Sequence, residues 1–479
     1  VGASGFAAQD QRVVGWRFGS SIVAAVPFLL LAGCTAFTID RPRDEPLVDP
    51  PRAFHEAERG RHAKIATGWL ADFHDPQMTA LVREAVRRNH NLQAAAHRLR
   101  AAGEGTIIGR AARLPSISAG ASASETYAGL GPAPGVSSQS YGLSLNAAWE
   151  IDLWGRLRDL EAASYADYEA TLADFRSARL SLAVNTAKAW ANLIEAQQQF
   201  ALARQTLEDF KTSLRLIERQ YRAAILRAVD VQLGRNNVAA AERNLRSRIL
   251  QRDEAARTLQ LLLGRYPSGE LQAAADLPAL KPQVPVGLPA GLLARRPDLA
   301  AGRARIFSSA RTADAARKDL LPSIRLTGAG NTSSELLHRA IDPGFITWSV
   351  AAALSQTVYR GGAPSAEARA ALARNRAAIS DYVQAVLTAF REVESALQTD
   401  RSLGEQERFL LQEVKQATLA QKQSERDLGL GIPGASVLEI LEAQRRAVNA
   451  RGALIRLRNQ RIQNRLDLYL ALGGNFETN

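Results

Sequence analysis

The four residues Leu114-Pro115-Ser116-Ile117 return later in the chain as Leu321-Pro322-Ser323-Ile324, at an offset of 207. Without gaps, the same offset matches Leu92 to Leu299, Ala94 to Ala301, Arg98 to Arg305 and Arg110 to Arg317. Further along, Val229-Asp230-Val231 answers Leu438-Glu439-Ile440 at an offset of 209. Leu259, Leu261, Leu263 and Gly264 answer Leu468, Leu470, Leu472 and Gly473 at that same spacing. The period is far longer than the 20–50 residues of stacked solenoid repeats. One large unit has been duplicated.

Outward from the Leu-Pro pairs, each half reads alike. A helix precedes the pair, Met78 to about Ala112 and Asp298 to about Leu320, and the Pro ends it because the residue before Pro disfavours helix. A period-2 alternation follows. Ile117, Ala119, Ala121 and Ala123 are separated by Ser and Gly, a Gly/Pro tip spans Gly129 to Gly135, and Tyr141, Leu143, Leu145, Ala147 and Trp149 return. In the second half the alternation is Ile324, Leu326, Gly328, then Ile346, Trp348, Val350, Ala352 and Leu354. These patterns predict strand pairs at 117–127 with 140–150 and at 323–333 with 345–358, each about the length of a tilted membrane strand.

Very long helices come next. Arg156 to Leu233 contains neither Gly nor Pro, and a helix of 60–70 residues is about 100 Å long at 1.5 Å per residue. Leu207, Phe210, Leu214, Ile217 and Tyr221 alternate spacings of three and four, a coiled-coil seam. A returning helix, Val229 to Leu263, stops at Gly264. The second half repeats the arrangement with Ala366 to Leu428 and Val437 to Leu472, stopped by Gly473. The fold class is therefore mainly α with a contribution from four strands, a membrane β-barrel if those strands cross a membrane. Four strands cannot close a barrel, and open edges are not tolerated in lipid. If the strands cross a membrane, several chains complete one barrel.

Composition narrows the function. The chain has 479 residues, 46% apolar and 23% charged, which excludes a disordered chain. Its net charge is +12, but the basic residues are interleaved with acidic ones, which argues against nucleic acid as a partner. The single Cys excludes a disulfide framework and a Cys-based zinc site. That Cys lies where Arg12 and Arg17, then an apolar run from Ile22 to Leu31, give way to Leu31-Ala32-Gly33-Cys34. The run of about ten residues is too short for a bilayer span and fits a signal peptide. The Leu-Ala-Gly-Cys sequence resembles the bacterial lipoprotein signal, which implies a diacylglycerol and an N-acyl chain on Cys34 and no other cofactor. Thr35 follows, not the Asp that such systems read as inner-membrane retention. A Pro-rich stretch, Pro42 to Pro51, then reads as a tether.

Ordered motifs occur in duplicate around this frame. They include Trp69 with Asp75-Pro76, the helix starts Asn91-Leu92 and Arg296-Pro297-Asp298-Leu299, and Leu-Pro-Ser before each strand pair. Trp149-Glu150-Ile151-Asp152-Leu153-Trp154-Gly155-Arg156 and Tyr359-Arg360-Gly361-Gly362 follow the strands. Val229-Asp230-Val231-Gln232 and Leu438-Glu439-Ile440-Leu441-Glu442-Ala443-Gln444-Arg445 mark the far tips. From Cys34 to Gly473 the chain resembles the TolC-like outer-membrane efflux proteins, in the lipidated branch often called NodT-type.

The resemblance implies a homotrimer: a twelve-stranded barrel in outer-membrane lipid, continuous with a periplasmic helical barrel. The domains would be a signal peptide at 1–33, a lipid-anchored tether at 34–68, a first repeat at 69–269, a linker at 270–296, a second repeat at 297–474 and a tail at 475–479. A periplasmic adaptor and an inner-membrane pump of the resistance-nodulation-division type would be the partners. The chain would be a passive duct, not an enzyme. The resemblance also places a pore gate at Glu439 and Glu442, with Asp230 and Arg445 as latch residues. Glu439 and Glu442 share a helix face. Threefold symmetry would ring the axis with their carboxylates, which repel each other and attract cations. From spacing alone, Glu442 equally fits a solvated pair with Arg445 and Arg446. The family's Arg-Tyr-x-x-Gly before the second acidic pair is replaced here by Arg426-Asp427-Leu428-Gly429, without the Tyr.

Other signals carry less. Gly429-Leu430-Gly431-Ile432-Pro433-Gly434 matches a dinucleotide fingerprint but follows a helix, not a strand. His90 and His97 read as solvent-facing rather than metal ligands. Trp149, Trp154, Trp348 and Tyr359 flank the strands, as an interfacial belt or as packing at the strand–helix junction. The alternative function is a periplasmic coiled-coil adaptor or scaffold lipoprotein without a pore.

Overall fold

The duplication of sequence is a duplication of elements. The computed structural model describes residues 53–55, 68–131, 133–274, 276–280, 289–430, 432 and 436–474, all within one unit spanning 48–479. The signal peptide, Cys34, most of the tether, the 475–479 tail and the Gly431, Pro433 and Gly434 positions of the Gly-rich turn lie outside the described residues.

In the first half, a 3-10 turn at Trp69–Phe73 leads to α1 (Pro76–Arg88) and α2 (His90–Ala111), then β1 (Ser116–Leu130), β2 (Ala133–Ile151), α3 (Arg156–Arg222) and α4 (Ala228–Leu262). The second half holds α5 (Pro289–Arg295), α6 (Pro297–Lys318), β3 (Ser323–Ser334), β4 (Ile346–Ser355), α7 (Ala363–Gly429) and α8 (Val437–Ala471). α3 and α7 have 67 residues each, and α4 and α8 have 35 each. The longer pair is thus about 100 Å long. The two-residue change of offset falls between the long helix and the shorter one of each half, α3 ending at Arg222 and α4 starting at Ala228, α7 ending at Gly429 and α8 starting at Val437.

The first helix, read from the sequence as one run from Met78 to about Ala112, is two helices. It breaks at Asn89, which is extended (φ −66°, ψ 123°). The Asn89 side chain accepts from the Leu92 amide at 3.1 Å and donates to the Leu262 carbonyl at 2.9 Å. An Asn that caps one helix offers the backbone an alternative to continuing the previous one. The equivalent break in the second half is Arg296 (φ −70°, ψ 121°), held extended by the Pro297 that follows.

Two buried clusters sit at this level. Trp69, Phe73, Met78 and Val82 pack on Ala183, Ala187, Trp190 and Ile194 of α3, with Leu259 of α4 and Leu466 and Tyr469 of α8. Leu292 and Leu299 pack on Val386, Ala389 and Val393 of α7 and Leu468 of α8. The many alanines on the buried faces leave little side-chain bulk between packed helices. Asp75 is fixed twice: it caps α1 by accepting from the Met78 amide at 2.9 Å, and it accepts the buried Trp190 indole N–H at 2.7 Å.

The sheet has the order β1-β2-β3-β4, antiparallel throughout, and the β2–β3 pairing joins the halves. β1 and β2 run longer than expected, to the bulge at Ala128 and Leu130 and the Gly131 turn (φ 70°). β4 ends at Ser355, short of the expected 358.

Candidate channel wall and gate

Strand register decides what each face of the sheet is made of. Ala119 lies opposite Leu145, Leu145 opposite Gly330, and Gly330 opposite Trp348. Opposed residues share a face and alternate residues along a strand return to it. One face therefore carries Ile117, Ala119, Ala121, Ala123, Tyr141, Leu143, Leu145, Ala147, Trp149, Ile324, Leu326, Ile346, Trp348, Val350, Ala352 and Leu354, with Gly328, Gly330 and Thr332 on β3 between them and Glu125 and Ser334 toward the far turns. These residues are exposed or half-exposed in the single chain, Trp348 by 76%. The other face carries Ser116, Ser118, Ser122, Ser124, Ser140, Ser144, Asn146, Thr327, Asn331, Ser333, Thr347 and Ser349 with small Gly and Ala between. From Ile346 to Leu354 the apolar band is about 27 Å along the strand, which fits a hydrocarbon core once the strand tilts. Above it, Ser137 to Ser140 of β2 are polar on both faces, as a segment standing clear of lipid must be.

No described helix is long and apolar enough to cross a membrane. The sheet is the only described element with the chemistry to do so. Its two edges, β1 and β4, have no partner strand among the described residues. Because strand direction alternates across the sheet, β4 of one copy can pair antiparallel with β1 of another.

The sheet meets the helices through fixed contacts. The Trp149 indole N–H donates to the Arg113 carbonyl at 2.9 Å, and that of Trp154 to the Pro322 carbonyl at 2.7 Å. Both acceptors belong to the Leu-Pro turns, so these two Trp are junction residues. Trp348 and Tyr359 make no such bond among the described residues, and Tyr359 is 86% exposed. Asp152 holds the start of α3, accepting the Leu157 and Arg158 amides at 2.9 Å each. Buried Asp159 ties α3 to α6 through Lys318 at 2.5 Å and Arg311 at 3.2 Å.

At the opposite end, Ile217, Val231, Leu428, Val437, Ile440 and Leu441 form a small cluster joining the tips of both helical hairpins. The seam read from sequence buries Leu207 and Ile217 but leaves Tyr221 at the surface. The 3.6-residue period places Gln220 inward instead, where its amide donates to the Leu428 carbonyl at 2.7 Å. Buried Gln444 of α8 donates to Ser213 of α3 at 2.7 Å and to Glu425 of α7 at 2.9 Å. Sequence reading missed both glutamines; a polar side chain at a seam position is the signal that could have found them.

Glu439 sits exposed in the first turn of α8, and Glu442 lies one turn on. Glu442 accepts from Arg445 at 2.9 Å and from Arg446 at 2.7 Å. The Arg446 and Arg445 guanidiniums hold its carboxyl below the usual carboxylate range. Asp230 occupies the matching first-turn position of α4, where it is 8% exposed and accepts the Arg227 amide at 3.0 Å. Within one chain, Asp230 is thus a helix cap and Arg445 a partner of Glu442; the two do not meet. His90 and His97 are exposed, and no group of three metal-ligating residues occurs among the described residues.

A sheet with one lipid-compatible face, one hydrophilic face and two free edges, mounted on rods, defines a channel-wall protein. Comparisons with known proteins give the family. Residues 81–265 and 288–474 each match the Outer membrane efflux protein family, one copy per half. The outer membrane protein OprJ of Pseudomonas aeruginosa is 32% identical over 434 residues, 88% of this chain and 89% of that protein. The probable outer membrane lipoprotein SilC of Salmonella typhimurium is 26% identical over 469 residues, 95% and 99% of the two chains. The solved structure of the outer-membrane channel OprN superposes with a TM-score of 0.81 at 27% identity, covering 91% of this chain and 99% of that one. This chain belongs to the outer membrane efflux proteins. It is an outer-membrane transport channel rather than an enzyme, and nothing in the comparisons supports an adaptor without a pore.

Proposed function

We propose that three copies close the sheet into one twelve-stranded barrel and that their helices continue it as a tube through the periplasm. The two-faced sheet with unpaired edges carries this reading: an open edge in lipid leaves a row of unsatisfied backbone groups, each costing several kcal/mol. Four strands per copy keep every junction antiparallel. Cys34 carries a diacylglycerol and an N-acyl chain that tether the mature protein; several chains anchor firmly at about 0.8 kcal/mol per buried CH₂. The likeness to a protein named an outer membrane lipoprotein supports this. A periplasmic adaptor and an inner-membrane pump of the resistance-nodulation-division type feed the tube, which makes and breaks no bonds itself.

Glu439 and Glu442 ring the narrow tip, and Asp230 and Arg445 serve neighbouring copies as latch residues when the tube is shut. Opening is a shift between two arrangements of the tips that the adaptor or pump biases. Two experiments test this. With Cys34→Ser and a cleavable signal, the protein still requires detergent for extraction and runs as a trimer; a soluble monomer overturns the barrel. In reconstituted bilayers, the double substitution Glu439→Ala with Glu442→Ala raises single-channel conductance and weakens block by divalent cations. Unchanged conductance and block remove the gate from these residues.

A further inference from the structure

The hydrophilic face of the sheet is almost free of charge. Along the four strands it presents Ser, Thr, Asn, Gly and Ala, with Val136 near the far turn, and its charges are Glu150 and Arg325, which lie opposite each other on one rung near the helical end. Glu150 is already engaged, since Arg156, which also lies 3.7 Å from Asp319, binds its carboxylate at 2.7 Å. Arg325 is exposed and has no ion-pair partner among the described residues. Its neighbours across the ladder are Glu150 on β2 and the small Ala353 on β4, and Thr327 lies next on the same face. Nothing bulky covers the guanidinium from the β4 side.

We infer that Arg325 sets the charge preference of the barrel bore, forming a basic ring that favours anionic solutes and disfavours cationic ones. The inference rests on the barrel reading above, which turns this face inward and places three copies of Arg325 around one axis. A guanidinium stays ionised at every physiological pH. Its field reaches about 8 Å at physiological ionic strength, and a groove with low-dielectric walls focuses it further. The acidic tip has the opposite sign, but it sits on helices that move apart on opening. Arg325 is fixed in a hydrogen-bonded ladder, so its charge remains in the path whether the tip is shut or open. The solutes it favours are carboxylates, phosphates and sulfonates as a chemical class.

The test reads the local field from the outside, independently of the tip. A Thr327→Cys variant places a thiol two residues from Arg325 on the same face. Its reaction rates with a sulfonate-bearing and a trimethylammonium-bearing methanethiosulfonate are compared in outer-membrane vesicles, with the parent chain and its single Cys34 measured in parallel. Adding Arg325→Gln is expected to lower the anionic-to-cationic rate ratio by about threefold or more, and Arg325→Lys to preserve it. An unchanged ratio with Arg325→Gln overturns the inference while leaving the barrel intact. If the Thr327→Cys thiol reacts with neither reagent while a Leu326→Cys thiol reacts with both, the face assignment fails and the inference falls with it.

Discussion

Glu442 shows how much a single side chain's neighbours decide. Three copies brought together at a tip would repel and push each carboxyl toward protonation. Arg445 and Arg446 act the other way, each within 2.9 Å, and hold that carboxyl below its ordinary range. A depressed carboxyl keeps its charge as pH falls until the solution passes below the ordinary value of about 4.3. Conductance of the reconstituted channel is therefore expected to stay flat from pH 7 to pH 5 and to rise only below that interval. A rise between pH 7 and pH 5 would mean that repulsion between copies outweighs the arginines. Sequence spacing placed Glu442 beside Arg445 and Arg446, and the chain bears that pairing out. It could not show that Asp230 spends its carboxylate on the Arg227 amide, because a cap depends on where the helix starts. Asp75 is another residue with two tasks: capping α1 and accepting from Trp190. Asp75→Ala removes both and leaves a buried indole N–H unpaired, so a loss of about 2–4 kcal/mol is expected in urea unfolding of the helical part. A loss under about 1 kcal/mol would reduce Asp75 to an ordinary cap.

The elements show the same joint solved twice with different chemistry. Asn89 reaches the Leu262 carbonyl at the end of α4, and Arg296 reaches the Ala471 carbonyl at the end of α8. Just beyond, Gly264 (φ 68°) and Gly473 (φ 66°) let the chain pass close to the backbone of Arg88 and Arg295. The repeat in the sequence made both glycines visible as helix stops. The helix starts beside both joints were legible as Asn91-Leu92 and Arg296-Pro297-Asp298-Leu299. The bonds that close the joints were not, since an Asn and an Arg reaching a distant carbonyl share no pattern. A Cβ at Gly264 would lie 2.7 Å from the Arg88 carbonyl oxygen, whereas one at Gly361 (φ 58°) meets nothing within 4 Å. Both substitutions to Ala incur the left-handed penalty of roughly 1–2 kcal/mol. Only Gly264→Ala must also displace backbone, so its thermal midpoint is expected to fall clearly below that of Gly361→Ala. Equal midpoints would show that the α1–α2 joint yields freely.

At the scale of the whole molecule, alternation in the sequence gave the strands, and the register gave their faces. The pattern alone could not say that β2 pairs with β3 across the duplication, because pairing between halves leaves no local signal. Once that pairing is known, Val350 and Ala351 become neighbours with opposite surroundings. Val350 lies in the middle of the apolar band opposite Gly328; Ala351 lies on the hydrophilic face opposite Thr327. An Arg on the lipid side of a barrel costs about 2–4 kcal/mol at the bilayer midplane, while a lumen substitution is largely tolerated. Val350→Arg is thus expected to abolish or sharply reduce the heat-modifiable assembled form in the outer-membrane fraction, and Ala351→Arg to assemble near the parent level. The two positions share a strand, so a general intolerance of β4 to Arg would damage both and is distinguished from a face effect. The reverse outcome, with Ala351→Arg lost and Val350→Arg retained, would turn the sheet inside out and take the bore, its Arg325 and the trimeric closure with it.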